Sequence, residues 1–179
     1  MFGFLKKKPH ALSFFQKNHP VDGPYEDEII FGKNQNGTMR AEIDWMVDIA
    51  CMAAGLATIQ RAMTNNKGGN PRDVIELGYV FGLLDWHKNN VWGVREFNRS
   101  FFHFGYFHYF DNALSPNRKK ALDRANIALS VTGICIENGD KEFLESASKG
   151  IKDARNLDDS RAGPGRHIPR ELYDYLSQQ

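Results

Sequence analysis

Phe101-Phe102-His103-Phe104-Gly105-Tyr106-Phe107-His108-Tyr109-Phe110 carries seven phenylalanine or tyrosine side chains in ten residues and no formal charge. No other stretch of the chain is so specialised. Each buried ring removes roughly 150–250 Å² from water, so a block this dense must face a core, a partner or a ligand. Its secondary structure decides the fold class. Phe and Tyr favour strands, but period-two alternation is absent and the polar run from Arg95 to Arg99 leads in as a helical turn. The block therefore reads as part of a helix over about 94–112. Phe97, Phe101, Phe104 and His108 form one stripe of it, and Phe102, Tyr106, Tyr109 and Phe110 crowd the next.

The flanking sequence repeats the helical signature. Thr38 can cap a helix over 39–64, whose apolar positions Trp45, Met46, Ile49, Met52, Ala53, Leu56, Ile59 and Met63 follow the three-and-four spacing, with Gln60 the one polar member. Asn70-Pro71, with Asp73 two residues on, predicts a second start: a capping side chain, proline in the first turn and an acid behind it. That helix runs to about Lys88. Val74, Ile75, Leu77, Val80, Phe81, Leu83 and Leu84 cover most of its circumference, as in a central helix of a bundle. Ser115-Pro116 opens a fourth helix to Asn138, burying Leu122, Ala125, Leu129, Thr132 and Ile136. Gly139 ends it and Asp140 caps a fifth, with one apolar face of Phe143, Leu144, Ala147, Gly150, Ile151 and Ala154. The run 156–167, with Gly163-Pro164-Gly165, reads as a linker, and a short helix over 169–176 can dock Leu172, Tyr175 and Leu176. Residues 1–37 read as a loop-rich lead with a short helix near 12–17. The fold class is all-α: a single-domain helical bundle of five to six helices, with the lead at 1–37, the bundle at 38–156, and the linker and last helix at 157–179.

Bulk numbers narrow the function. The chain has 179 residues, 41% hydrophobic and 25% charged, which is ordinary for one globular domain. Its formal charge of +1 gives no broad field for nucleic acid, and none is expected as a partner. Basic clusters are local: Lys6 to Lys8, Arg118-Lys119-Lys120 with Arg124, and Arg161, Arg166 and Arg170. Cys51 and Cys135 fall within apolar helical patterns, as reduced core thiols do. No segment approaches the roughly 20 apolar residues of a bilayer span, and the start lacks the apolar stretch of a secretory signal. The expected location is the cytoplasm.

Candidate chemistry is sparse. Asp44 and Asp48 share one helix face, and His108 and Asp111 share another, which makes these four the best metal-ligand candidates. The Glu-x-x-His element of bundle metal sites is nevertheless missing, so no metal and no cofactor is expected. Neither cysteine has a histidine near it in sequence, and no nucleophile elbow or phosphate-binding glycine loop occurs. Aromatic residues are the type enriched where proteins anchor on one another. The expected function is a non-enzymatic helical protein-binding domain, such as a regulatory, inhibitor or immunity-type partner. Phe101, Phe102, Phe104, Tyr106, His108 and Tyr109 would form its contact surface. The expected partner is another protein or a second copy in a homodimer. The alternative is an enzyme or sensor with a polar, metal-dependent pocket lined by Asp44, Asp48, His108 and Asp111.

Overall fold

The computed structural model describes residues 37–64, 69–93, 95, 97–114, 117–161 and 169–179; of the lead expected at 1–37, residues 1–36 lie outside the described residues and Gly37 is helical. Six α-helices follow in order and no strand occurs among the described residues: α1 (Gly37–Ala62), α2 (Val74–His87), α3 (Arg99–Leu114), α4 (Arg118–Asn138), α5 (Lys141–Arg161) and α6 (Glu171–Leu176). The chain is an all-α bundle, as its periodicity predicts. A π-helical turn, Lys88–Trp92, extends α2 and closes at Gly93, whose left-handed φ of 82° lets its N–H donate to the Lys88 carbonyl.

Helix starts follow side-chain caps. Asn117 accepts from the Lys120 N–H at 3.1 Å and opens α4. Asp140 accepts from Phe143 at 2.9 Å and opens α5, immediately after Gly139 has ended α4 at a φ of 62°. The second helix starts later than the Asn70-Pro71 signal implies. Asn70 Oδ1 binds the Arg72 N–H in a local turn, while the Asp73 carboxylate takes both the Ile75 and Glu76 N–H groups, at 3.1 and 3.0 Å. A carboxylate bonding two orphan donors outcompetes an amide bonding one. The third helix begins at Arg99, where Asn98 accepts from Phe101, so Phe97 lies outside it. The fifth runs through 156–161, which the sequence assigns to the linker.

Helix α3 is wedged between α1 and α4, whereas α2 lies along α5 with α1 on its other flank; α6 packs mainly on α1. The α2–α5 contact is the closest in the fold. A Cβ built on Gly78, Gly82 or Gly150 would overlap the carbonyl oxygen of Phe143, Ala147 or Tyr79, respectively. These glycines bring the two backbones together, with Ser146 Oγ donating to the Ile75 carbonyl at 2.6 Å beside them. Where α3 crosses α2, Gly105 leaves room for the Leu84 side chain. Small residues at these crossings draw the helices in tightly around the rings of α3.

The aromatic block is consequently core. Phe101, Phe102, Tyr106, Phe107 and Tyr109 are fully buried and Phe104 and Phe110 nearly so, which corrects the expectation that this helix presents an aromatic surface. The ring count exceeds what one helix face could hide, but α1, α2 and α4 enclose α3 on several sides. Other apolar positions turn outward against expectation. Ile59, Met63, Ile136 and Leu144 are exposed, while Gln60 is buried.

Gly82→Val should lower the urea midpoint and cost about 3 kcal/mol, because the branched side chain must part α2 from α5. Gly133→Ala meets nothing within 4 Å of the added methyl. It should stabilise by about 0.5–1 kcal/mol through helix propensity alone. Equal effects from the two substitutions would show that the α2–α5 approach is not what fixes these glycines.

Candidate functional site

Tyrosine hydroxyls cannot enter an apolar core without partners, and those partners organise the polar interior. Tyr109 on α3 donates to Glu76 Oε1 on α2 at 2.6 Å and accepts from Arg61 Nε on α1 at 2.6 Å. Arg61 and Glu76 form an ion pair at 2% and 1% exposure. Gly69 lies against both side chains, where even a methyl group would clash. Tyr79 on α2 donates to Asp153 on α5 at 2.7 Å and accepts from Gln60 Nε2 at 2.8 Å. Gln60 Oε1 in turn accepts the Leu172 and Tyr173 N–H groups at the start of α6. Tyr106 bonds Thr132 on α4 at 2.7 Å and the Leu77 carbonyl at 3.1 Å.

Burial sets the protonation of these groups. It lifts the phenols of Tyr79, Tyr106 and Tyr109 well above their ordinary value, so all three are neutral hydroxyls. Burial likewise pushes the Glu76 carboxyl upward against the pull of Arg61 and the Tyr109 hydrogen bond. Such a network is rigid and packed, with every hydroxyl already bonded; it suits structure rather than turnover.

The second polar locus is the end of α2. His87 is buried, and its Nδ1–H donates to the Leu83 carbonyl at 2.7 Å, the helix-end role that its sequence position implies. Lys88 is 1% exposed, with Nζ donating to Asn89 Oδ1 at 2.8 Å and lying 3.7 Å from Asp85.

The third locus is the seam between α1 and α3. Cys51 Sγ stands 3.5 Å from His108 Nδ1, and both side chains are half-buried. Burial, aided by the Asp48 charge, raises the Cys51 thiol to about 11. Burial holds His108 below its usual range against the opposing pull of Asp111. At neutral pH the pair is a protonated thiol hydrogen-bonded to a neutral imidazole. Asp111 also accepts from Arg118 Nε at 3.2 Å.

The sequence-derived candidates divide accordingly. Five of the six contact-surface residues, Phe101, Phe102, Phe104, Tyr106 and Tyr109, are core, and only His108 reaches the seam. Of the metal candidates, Asp48 acts electrostatically on Cys51 and Asp111 on His108, while the side chain of Asp44 lies outside the described residues. No group of three or more His, Cys, Asp or Glu side chains is assembled for a metal among the described residues. Cys51 is the residue that sequence reasoning misses. It stands 57 positions from its histidine, and only the pairing of α1 with α3 unites them. Gln60 did leave a signal, as the lone polar member of an apolar stripe. Among the described residues, no helix is long and apolar enough to cross a membrane. Compared with known proteins, the chain matches no family model, no curated protein and no solved structure.

The buried phenols fix an alkaline limit. Their folded-state values lie above the unfolded value of about 10, so the stability they contribute is complete below pH 10 and is lost as pH rises beyond it. Three tyrosines kept neutral should cost about 4 kcal/mol per pH unit in that range. The phenolate absorbance of these three tyrosines should therefore rise in one cooperative step coincident with loss of helical circular dichroism. Titration of all the tyrosines while the helices persist would show that these hydroxyls are not sealed.

Proposed function

We propose that the chain is a non-enzymatic helical protein-binding domain that acts through self-association, with the outer face of α4 as its contact surface. What supports this reading is a stripe of apolar side chains on a solvent-facing helix. Ile127 is 36% exposed and Ile134 57%, with half-buried Val131 between them. The spacing of four and three residues sets all three on one face. Opposite this stripe, Ala121, Leu122, Ala125, Ala128, Leu129, Thr132 and Cys135 bury the inner face of the helix. An apolar stripe on an otherwise satisfied helix marks a contact surface.

Charge selects a second copy as the occupant. Exposed Lys119 and Lys120, with half-buried Arg124, lie at the N-terminal end of the stripe, interrupted by Asp123 alone; exposed Glu137 lies at the other end. Pairing two α4 helices antiparallel about Val131 sets Ile127 against Ile134 of the other copy. The same pairing sets each basic end against an acidic one. This is an isologous two-fold contact, in which one patch complements itself. The apolar stripe is short, so the contact belongs among the small, weak interfaces with a Kd in the micromolar range.

Sedimentation velocity across micromolar to submillimolar concentrations tests the reading. The wild-type chain should shift from monomer to dimer, and added salt should weaken the shift. Ile127→Asp with Ile134→Asp, both on exposed positions, should leave helicity intact and hold the protein monomeric. Arg124→Glu and Glu137→Arg should each weaken self-association, and mixing the two should restore a mixed dimer. A monomer at every concentration, or a dimer indifferent to the stripe, would remove this reading.

A further inference from the structure

We propose that the seat of α6 is a docking groove for an amphipathic helix of a partner protein, and that the chain keeps its own C-terminal segment there as an internal competitor. The groove lies on α1, α5 and the cap of α2, so it is independent of the α4 stripe. Its present occupant is loosely built. α6 has six residues, Glu171–Leu176, well short of the roughly 12–15 at which a helix persists alone. Arg170 supplies no side-chain cap, so the N–H groups of Leu172 and Tyr173 donate to Gln60 Oε1 on α1 instead, at 3.1 and 3.2 Å. Leu172 and Leu176 are its two buried side chains, while Tyr175 is half-buried and donates to the Asp73 carboxylate at 3.0 Å. A short terminal element with two apolar anchors is of the kind that opens locally while the rest of a fold stays intact.

The groove, by contrast, is held in shape by contacts that do not involve α6. Tyr79 donates its hydroxyl proton to Asp153, so its oxygen can only accept, and Gln60 must turn Nε2 toward it. That leaves the Gln60 carbonyl oxygen facing the seat, fixed by a relay from α5 through α2 to α1. All three side chains are buried. Asp73 is fixed equally, because its Oδ1 accepts from the Ile75 and Glu76 N–H groups as the cap of α2. Both polar anchors thus stay in place when α6 leaves, and the buried Gln60 oxygen then lacks a partner. A preformed groove of this kind loses little freedom on binding.

The chemistry of the partner follows from what the seat holds and what lies bare beside it. Leu172, Tyr175 and Leu176 stand at i, i+3 and i+4, the spacing by which an amphipathic helix enters a groove. Glu171 and Asp174 in the first turn suit a helix start. Beside the seat, Ile59 and Met63 are 61% and 59% exposed, on one face of α1, and Met63 is one helical turn from Gln60. α6 leaves both uncovered. The fitting partner is an amphipathic helix with an acidic start that carries the Leu-x-x-Tyr-Leu anchors, runs longer than α6 and lays an apolar side chain over Ile59 and Met63. A second copy's C-terminal segment brings nothing that α6 lacks, and the chain's own segment meets the seat at an effective concentration on the order of millimolar. An outside helix displaces it only by making more contact.

A fluorescein-labelled peptide of residues 169–179 is the probe. Full-length chain with Leu172→Asp and Leu176→Asp cannot seat its own segment and should bind one peptide per chain. The wild-type chain should bind it about tenfold more weakly, because its own segment competes. The peptide carrying the same two changes should not bind, and the peptide with Tyr175→Phe should bind several-fold more weakly. In isotope-labelled wild-type chain, excess unlabelled peptide should move the amide resonances of the chain's own Leu172 and Tyr173, so displacement is read in the native protein as well. Longer peptides that keep the three anchors, selected from a library on the double variant, should bind more tightly, and the gain should vanish with Ile59→Glu and Met63→Glu. Absence of peptide binding by a double variant that is folded by circular dichroism would overturn the groove, as would wild-type resonances unmoved by excess peptide. Selected peptides indifferent to Ile59→Glu and Met63→Glu would overturn the partner assigned to it. A full-length dimer abolished by Leu172→Asp with Leu176→Asp would overturn it too, by giving the groove to a second copy.

Discussion

Three phenolic hydroxyls enter the interior of this bundle, and satisfying them binds every helix to another. Tyr109 joins α3 to Glu76 of α2 and Arg61 of α1; Tyr106 joins α3 to Thr132 of α4; Tyr79 joins α2 to Asp153 of α5 and, through Gln60, to α6. A hydrogen bond between neutral groups contributes only about 1 kcal/mol net, yet leaving one buried partner unmatched costs about 1–3 kcal/mol. The network therefore acts less by adding stability than by excluding other arrangements. Apolar side chains tolerate sliding and rotation of one helix on another. Hydroxyls that must reach Glu76, Asp153 and Thr132 together tolerate one register. The Arg61–Glu76 pair sharpens this, because a buried pair adds little net energy but removing one member strands a charge at a cost of about 3–5 kcal/mol.

The sequence carries the helices better than their surroundings. Asp140 as a cap and Gly139 as a stop are local signals, since their partners lie within four residues, and the structure uses both. Asn70 is local too and still misplaces the start of α2, because a stronger acceptor, Asp73, stands three residues on. The aromatic block fails differently. Ring count measures how much area must leave water and says nothing about which element covers it. The cover comes from α1, α2 and α4, and its tightness from Gly78, Gly82 and Gly150, which a hydrophobicity pattern scores as weak positions rather than as points of contact. Gln60 shows the same limit from the polar side. It breaks the stripe of α1 in sequence, and the break makes sense only once Tyr79 and the first N–H groups of α6 are seen to converge on its amide.

With the rings of α3 consumed by the core, the large apolar side chains left exposed belong to other elements. Phe97 illustrates the boundary. It lies before α3, is 55% exposed, and stacks at 4.8 Å on buried Phe102, which stacks at 4.8 Å on Phe81. One face of that ring is already spent on its neighbour, so its exposure is the end of an internal stack. Ile127 and Ile134 differ, because they rise from the face of α4 opposite its buried side chains. Exposure of one residue is common in any fold, whereas exposure in helical register belongs to a helix face.

The same network governs the α1–α3 seam. His108 and Tyr109 are neighbours on α3, yet they hold Cys51 and Arg61, which stand ten residues apart on α1. Ten helical residues span about 15 Å. Two attachments that far apart fix both the crossing point and the rotation of α3 on α1, where a single contact would fix only a position. The Arg61–Tyr109 contact is buried and charge-assisted, so it sets the register. The Cys51–His108 separation then follows from a lock three helical turns away on α1. A side-chain pair spaced by remote packing keeps its geometry without help from its own contact, which is a single hydrogen bond.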